Sequence, residues 1–383
     1  MTTPTALDHA IDVEQVLDVA ANRLERLVTR HPGRIPVHTE DGRWQIADDA
    51  WAPSWTGGFL AGQLWILAES TGDGIWRERA ERYSELIEDR RFDTGTHDLG
   101  FLFTPSWGRW HRLAPSPRSA DVLVQAARSL ASNFNPRGRY LRTWVDEGST
   151  FIDIMMNVDL LFQAGDLAGD PDLTRIAAEH SDTSRRFLVR GDATTAHEGW
   201  FDPATGEFLR TATHQGYRAD SSWVRGHAWA LYGFTSSFLR TGDHSYLDTA
   251  EALAQTALRN TGADPVSPND WCDPHPEFAH EASGASILAA GLLQLADVEA
   301  IPAERRSRYF DAGVRLLARL SEPPFLSSDD ENWDGLIRHA TYHRANGLGV
   351  QQSNMWGDYY FLEAVERYQR LRADARESDV VPR

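Results

Sequence analysis

The sequence predicts an all-α fold, six helical hairpins closed into an (α/α)6 barrel, as a single domain over residues 1–383. Three observations predict it. Segments with a charged outer face and apolar residues at helical spacing alternate with segments rich in small and aromatic residues. Several segments of the second kind end in the same short turn: Thr71-Gly72-Asp73, Ala168-Gly169-Asp170 and Thr241-Gly242-Asp243. Strand signals are sparse, which argues against a mixed α/β fold.

The charged-face segments lie near 12–30, 76–90, 118–132, 172–189, 245–258 and 304–320. In the first, Leu17, Ala20, Ala21, Leu24 and Leu27 follow the rhythm of one buried helix face. Between them come 55–70, 97–103, 151–166, 222–240, 282–297 and 353–370. Trp55-Thr56-Gly57-Gly58-Phe59 and Gly284-Ala285-Ser286-Ile287-Leu288-Ala289-Ala290-Gly291 are typical of these. Gly and Ala let backbones approach, so these segments read as inner helices covered on both sides. The second inner segment is the shortest, because Thr104-Pro105-Ser106-Trp107 interrupts it early. The recurring turns mark degenerate hairpin repeats roughly 45–70 residues apart. In such a barrel the loops entering the inner helices converge at one mouth.

Composition narrows the function classes. Length alone allows roughly two or three domains, yet no linker or charge block divides the chain. A net charge of −18 argues against nucleic acid or an anionic membrane as partner. No apolar run reaches the ~18 residues of a membrane span. The first twenty residues, with Asp8, Asp12, Glu14 and Asp18, lack the basic region and apolar core of a signal peptide, so a cytoplasmic setting is expected. The single cysteine, Cys272, excludes an internal disulfide and reads as a passive, semi-buried thiol. No Cys-rich or HExxH-type metal site is present, and the 14 histidines are scattered.

Chemistry concentrates in three stretches: His97-Asp98-Leu99-Gly100-Phe101, Ile152-Asp153-Ile154-Met155-Met156-Asn157, and Gln215-Gly216 followed by Trp223-Val224-Arg225-Gly226-His227-Ala228-Trp229. Asp153 lies inside an apolar run, where a charge costs several kcal/mol or is neutralised. A carboxyl kept partly protonated near neutrality is what a general acid needs. The helix N-terminus would depress its pKa, whereas apolar neighbours and a second carboxylate would raise it. The competing reading makes Asp153 a plain N-cap, and Asp98 carries the same two readings. Together they form a two-carboxylate candidate for glycoside chemistry, among other acids such as Asp146, Asp220, Asp273 and Asp358. Trp223, Arg225 and Trp229 stand at a helix entry; indoles stack on sugar rings and Arg can hold a carboxylate bidentately. Trp55, Phe59 and Trp144 read either as sugar-stacking walls or as ordinary core, since the chain has 14 tryptophans.

Taken together, these stretches, His197 and Trp356-Gly357-Asp358-Tyr359-Tyr360-Phe361-Leu362-Glu363-Ala364 resemble the unsaturated glucuronyl hydrolases of glycoside hydrolase family 88. The order and spacing hold from Trp55 onward. The resemblance implies an (α/α)6 barrel that acts without metal or cofactor on the 4,5-unsaturated uronic acid left by polysaccharide lyases. It implies hydration of the C4=C5 bond, with Asp153 as general acid and base and Asp98 as the second essential carboxylate. His197, Gln215 and Arg225 would surround the uronate carboxylate and the attacking water. His97 would line the same pocket, with Trp55, Phe59, Trp144, Trp223 and Trp229 as aromatic walls. Members acting on sulfated fragments tend to carry Ser and Lys in the loop that here reads Thr341-Tyr342-His343-Arg344-Ala345-Asn346-Gly347-Leu348-Gly349-Val350, without Lys. Sulfate recognition is therefore not expected, although His343 and Arg344 could meet an anion. Rival readings are an unsaturated rhamnogalacturonyl hydrolase, a sugar 2-epimerase and a silent carbohydrate-binding barrel.

Overall fold

Amphipathic stripes, most of them fixed by a capping side chain, shape the outer layer. The computed structural model describes residues 11–46, 55–275, 278 and 280–380, the last six as backbone only. The acidic segment before residue 11, Asp8 included, lies outside the described residues. The outer helices are α1 (Val13–Arg30), α3 (Gly74–Glu85), α6 (Pro117–Ala131), α8 (Pro171–Phe187), α10 (His244–Asn260) and α12 (Ala303–Leu320). In α1 the residues Val16, Ala20, Leu24 and Leu27 are buried, and Asp12 caps the helix by accepting from the Gln15 N–H.

The inner helices are α2 (Gly57–Thr71), α4 (Leu99–Phe103) continued by α5 (Arg109–Leu113), α7 (Ile154–Ala168), α9 (Val224–Thr241), α11 (Ala282–Ala296) and α13 (Met355–Val380). Every residue of α11 is buried, as an element covered on all sides requires. Each inner helix packs on the next, and α13 returns to α2, so the ring closes. The three recurring turns carry out one physical task. Gly72, Gly169 and Gly242 take the left-handed conformation with φ of 70°, 60° and 71° and end the inner helices. The aspartate that follows each glycine then caps the next outer helix.

The second inner segment differs from expectation. Pro105 does not end it. The backbone widens into a π turn over Thr104–Gly108, with Ser106 Oγ donating to the Leu102 carbonyl at 2.6 Å, and runs on as α5.

The strands are short. Hairpins β1 (Thr39–Glu40) with β2 (Arg43–Trp44), and β3 (Phe134–Asn135) with β4 (Tyr140–Leu141), precede an antiparallel sheet of β5 (Ser149–Phe151), β6 (Glu198–Phe201) and β7 (Phe208–Ala212). This sheet sits on the entry side of the inner helices: β5 runs through Ile152 directly into Asp153 and α7. Among the described residues no helix is long and apolar enough to cross a membrane. Cys272 is exposed, where a semi-buried thiol was expected, because it lies in the loop before α11 rather than under a helix.

Candidate active site

The N-terminal ends of α2, α4, α7 and α9, with the loop around 342–348, surround a cavity of about 580 Å³. Asp98, at the head of α4, and Asp153, at the head of α7, both face it. Two contacts bring these heads together. Asn157 accepts from the Phe101 N–H at 2.9 Å and donates to the Asp153 carbonyl at 3.3 Å. Gly100 lies so close to α7 that a Cβ there would stand 2.3 Å from the Asn157 Cα. Only glycine permits this approach.

Neither carboxylate caps its helix through its side chain. Asp98 accepts from Thr96 Oγ1 at 2.8 Å and stands 3.3 Å from His97 Nε2. Asp153 Oδ1 is buried without a hydrogen-bond partner. Burial, reinforced by the neighbouring Asp98 and opposed by His97 and Arg225, pushes the Asp153 carboxyl up to about 6. Desolvation therefore outweighs the neighbouring groups that would lower it. Of the other acids, Asp358 is also buried, but it accepts from the Leu336 and Ile337 N–H groups away from this cavity. Asp273 pairs with Arg344, and Asp220 with Arg218.

His197 sits just behind the cavity wall. Its Nδ1 accepts from the backbone N–H groups of His214 and Gln215, at 3.0 and 3.1 Å. Burial, aided by nearby His214 and Arg225, holds its pKa well below the usual histidine range, so the ring is neutral. With Nδ1 accepting, the proton resides on Nε2, which lies 3.9 Å from Asp153 Oδ1 and has no other partner.

Arg225 is buried between the rings of Trp223 and Trp356, at 4.4 and 5.2 Å. Its Nη1 donates to Ser283 Oγ and the Thr341 carbonyl; its Nη2 donates to Gln215 Oε1 and the Tyr342 carbonyl. The expected free bidentate fork is thus engaged with protein oxygens. Arg225 acts as a fixed positive charge that orients Gln215, itself a lining residue. Glu281, fully buried, lies 3.7 Å from Arg225 and balances that charge.

The aromatic expectations divide. Trp55, Trp223 and Trp229 line the cavity, and His97 lines it with them. Trp55 donates from Nε1 to the Tyr342 hydroxyl at 3.3 Å. Trp144 is 55% exposed and forms the rim, its edge against His214 at 5.7 Å. Phe59 is a correction: it is fully buried among Trp55, Phe101, Tyr359 and Tyr360, one layer behind the wall, because it lies inside α2 whereas Trp55 precedes that helix in the entry loop. Sequence reasoning did not single out His214, Tyr342 and Phe151 as lining residues. His214 adjoins Gln215 and could have been found; Tyr342 arrives from a distant loop and gave no local signal. Arg344 is tied to Asp273 and to the face of Phe278, whereas His343 does reach the cavity.

Comparison with known proteins decides the relationship. The model of Glycosyl Hydrolase Family 88 matches residues 28–261, a stretch that contains Asp98, Asp153, His197, Gln215 and Arg225. The chain belongs to glycosyl hydrolase family 88. It is 32% identical over 370 residues to the unsaturated glucuronyl hydrolase of Bacillus sp. (strain GL1), covering 94% of this chain and 96% of that one. The crystal structure of that relative has a TM-score of 0.88, covering 94% of this chain and 97% of the other. A second solved structure, of a UGL variant with dGlcA-Glc-Rha-Glc, also has a TM-score of 0.88, with 31% identity and coverage of 93% and 97%. The unsaturated chondroitin disaccharide hydrolase of Streptococcus pyogenes serotype M1 is 28% identical over 93% of this chain and 91% of its own length. The (α/α) barrel of family 88 is thus the fold of this chain.

Proposed function

We propose that this chain, acting as one catalytic barrel, releases the 4,5-unsaturated uronic acid from the non-reducing end of lyase-generated oligosaccharides. The observation that carries the reading is Asp153: a carboxyl pushed up to about 6 by burial, unpaired at Oδ1, and facing a sugar-sized aromatic cavity beside Asp98. Family 88 membership and relatives named unsaturated glucuronyl hydrolase support it.

The residues assign the steps. Protonated Asp153 gives its proton to C4 as the double-bond electrons form the C4–H bond, leaving oxocarbenium character at C5. Asp98 and the carboxylate left on Asp153 stabilise that charge. Water then attacks C5 and returns a proton to Asp153, while the neutral His197 Nε2–H orients the water or the carboxylate. The product is a hemiketal; it opens to a 5-keto uronate, and the hemiacetal left at C1 releases the remaining saccharide. Gln215 and the fixed charge of Arg225 attract the uronate carboxylate. Trp55, Trp223 and Trp229 supply stacking surfaces, and Trp144 supplies one at the rim.

An unsulfated aglycone fits the rim best. Burial lowers His343 to about 4, so it carries no charge at neutral pH, and Arg344 is spent on Asp273. We assign the reaction to the cytoplasm, in keeping with a chain whose single cysteine forms no internal disulfide. The test is loss of the ultraviolet absorbance of the conjugated uronate during incubation with unsulfated unsaturated chondroitin, hyaluronan, gellan and rhamnogalacturonan disaccharides. Turnover by the wild type that drops by about 10²–10⁴ in Asp153→Asn fits the scheme. Turnover of the rhamnogalacturonan disaccharide alone favours the galacturonyl alternative, and unchanged turnover in Asp153→Asn sinks the assignment.

A further inference from the structure

At the opposite end of the barrel, around the C-terminal halves of the inner helices, lies a larger cavity of about 910 Å³. The two cavities stand back to back. Trp229 lines the front one, Phe101 and Tyr360 line the rear one, and these rings touch with centroids 5.0 and 5.1 Å apart. We propose that the rear cavity is a second saccharide site, taking a neutral polyhydroxylated ligand of mono- to disaccharide size.

Two buried side chains ask for such a ligand. Gln294, 7% exposed, donates from Nε2 to Ser236 Oγ at 3.1 Å, and its Oε1 has no partner. Glu363, also 7% exposed, accepts at Oε1 from the Tyr232 hydroxyl at 3.0 Å and from Arg367 Nη2 at 3.3 Å, and its Oε2 has no partner. Both residues line the cavity, so a ligand hydroxyl that turned either side chain outward would satisfy an acceptor the protein itself leaves unpaired. The fixed charges are already matched. Arg109 is doubly bonded to Glu366, Arg367 pairs with Glu363, Arg112 meets Glu69, Arg240 meets Asp159, and Arg370 meets Asp297. A charged ligand would find no unmatched ionic partner, whereas a sugar offers both donors and acceptors. Tyr359 and Tyr360 add aromatic surface for its C–H faces. The volume falls among those of small-molecule sites, roughly 300–1,000 Å³.

The test is calorimetric titration of the full chain with glucose, N-acetylglucosamine and cellobiose, repeated on variants whose melting confirms folding. At least one probe is expected to bind the wild type, to weaken by about tenfold in Gln294→Leu and in Glu363→Gln, and to bind Gln215→Ala as it binds the wild type. Ser236→Ala, a milder change that frees the Gln294 amide to turn, is expected to weaken the same probe. Binding that is lost in Gln215→Ala and kept in the rear variants would place the sugar in the front cavity and overturn the proposal. So would the absence of binding by all these probes.

Discussion

Asp153 occupies the cap position of α7 without using its carboxylate as a cap, and its unpartnered Oδ1 makes it a strained acid. Its folded pKa of about 6 lies above the ordinary value of 3.8. The folded state therefore holds this proton more tightly than the unfolded chain does. The stability attached to the neutral form is complete below the ordinary value and is lost as pH rises through about 6. From this shift we expect Asp153→Asn to raise unfolding stability above pH 6 by about 2–3 kcal/mol in denaturant titrations, while nearly abolishing turnover. A destabilised variant would show that the carboxylate is structurally needed. In the wild type, kcat/KM is expected to fall on the alkaline side with an apparent pKa near 6, since the acid acts in its protonated form. A rate rising through that range would reverse the assigned role.

At the scale of elements, the joint between α4 and α7 sets the spacing of the two carboxylates. Gly100→Ala places a methyl group against the Asn157 backbone, where nothing flexible can yield. Overpacking of this kind costs about 1–3 kcal/mol. The variant is expected to melt lower and, in residual folded protein, to show reduced kcat, because the heads of the helices separate. Unchanged kinetics would mean that the spacing tolerates more than the geometry implies. Much of this layer was legible in the sequence. The Gly-Asp turns, the amphipathic outer stripes and the all-buried α11 are local signals, and each became the expected element. What was hidden has a common cause. Pro105 reads as a helix breaker, yet a π turn absorbs it within a continuing inner segment. The engagement of Arg225 depends on carbonyls of Thr341 and Tyr342, more than a hundred residues away in the chain. Phe59 and Trp55 are both aromatic, and which one meets the cavity depends on where α2 begins: Trp55 precedes the helix and Phe59 lies within it.

For the whole molecule, a net charge of −18 opposes the approach of an anionic uronate. Within the site, Arg225 is buried and largely compensated by Glu281, so it does not reverse the long-range field. KM is therefore expected to fall as salt rises towards ~0.1 M, where the screening length shrinks to about 10 Å, with kcat little changed. A KM that rises steadily with salt would show that the local field at the mouth draws the uronate in despite the net charge. Finally, the contact of Phe101, Trp229 and Tyr360 across the barrel axis makes the front cavity a cul-de-sac. A polysaccharide cannot be threaded through it. The chain end enters first, one terminal unit reaches the carboxylates, and both products leave by the way the substrate came. Long oligomers would then be trimmed one unit at a time, and each shortened chain would need a fresh lyase cut before it could return.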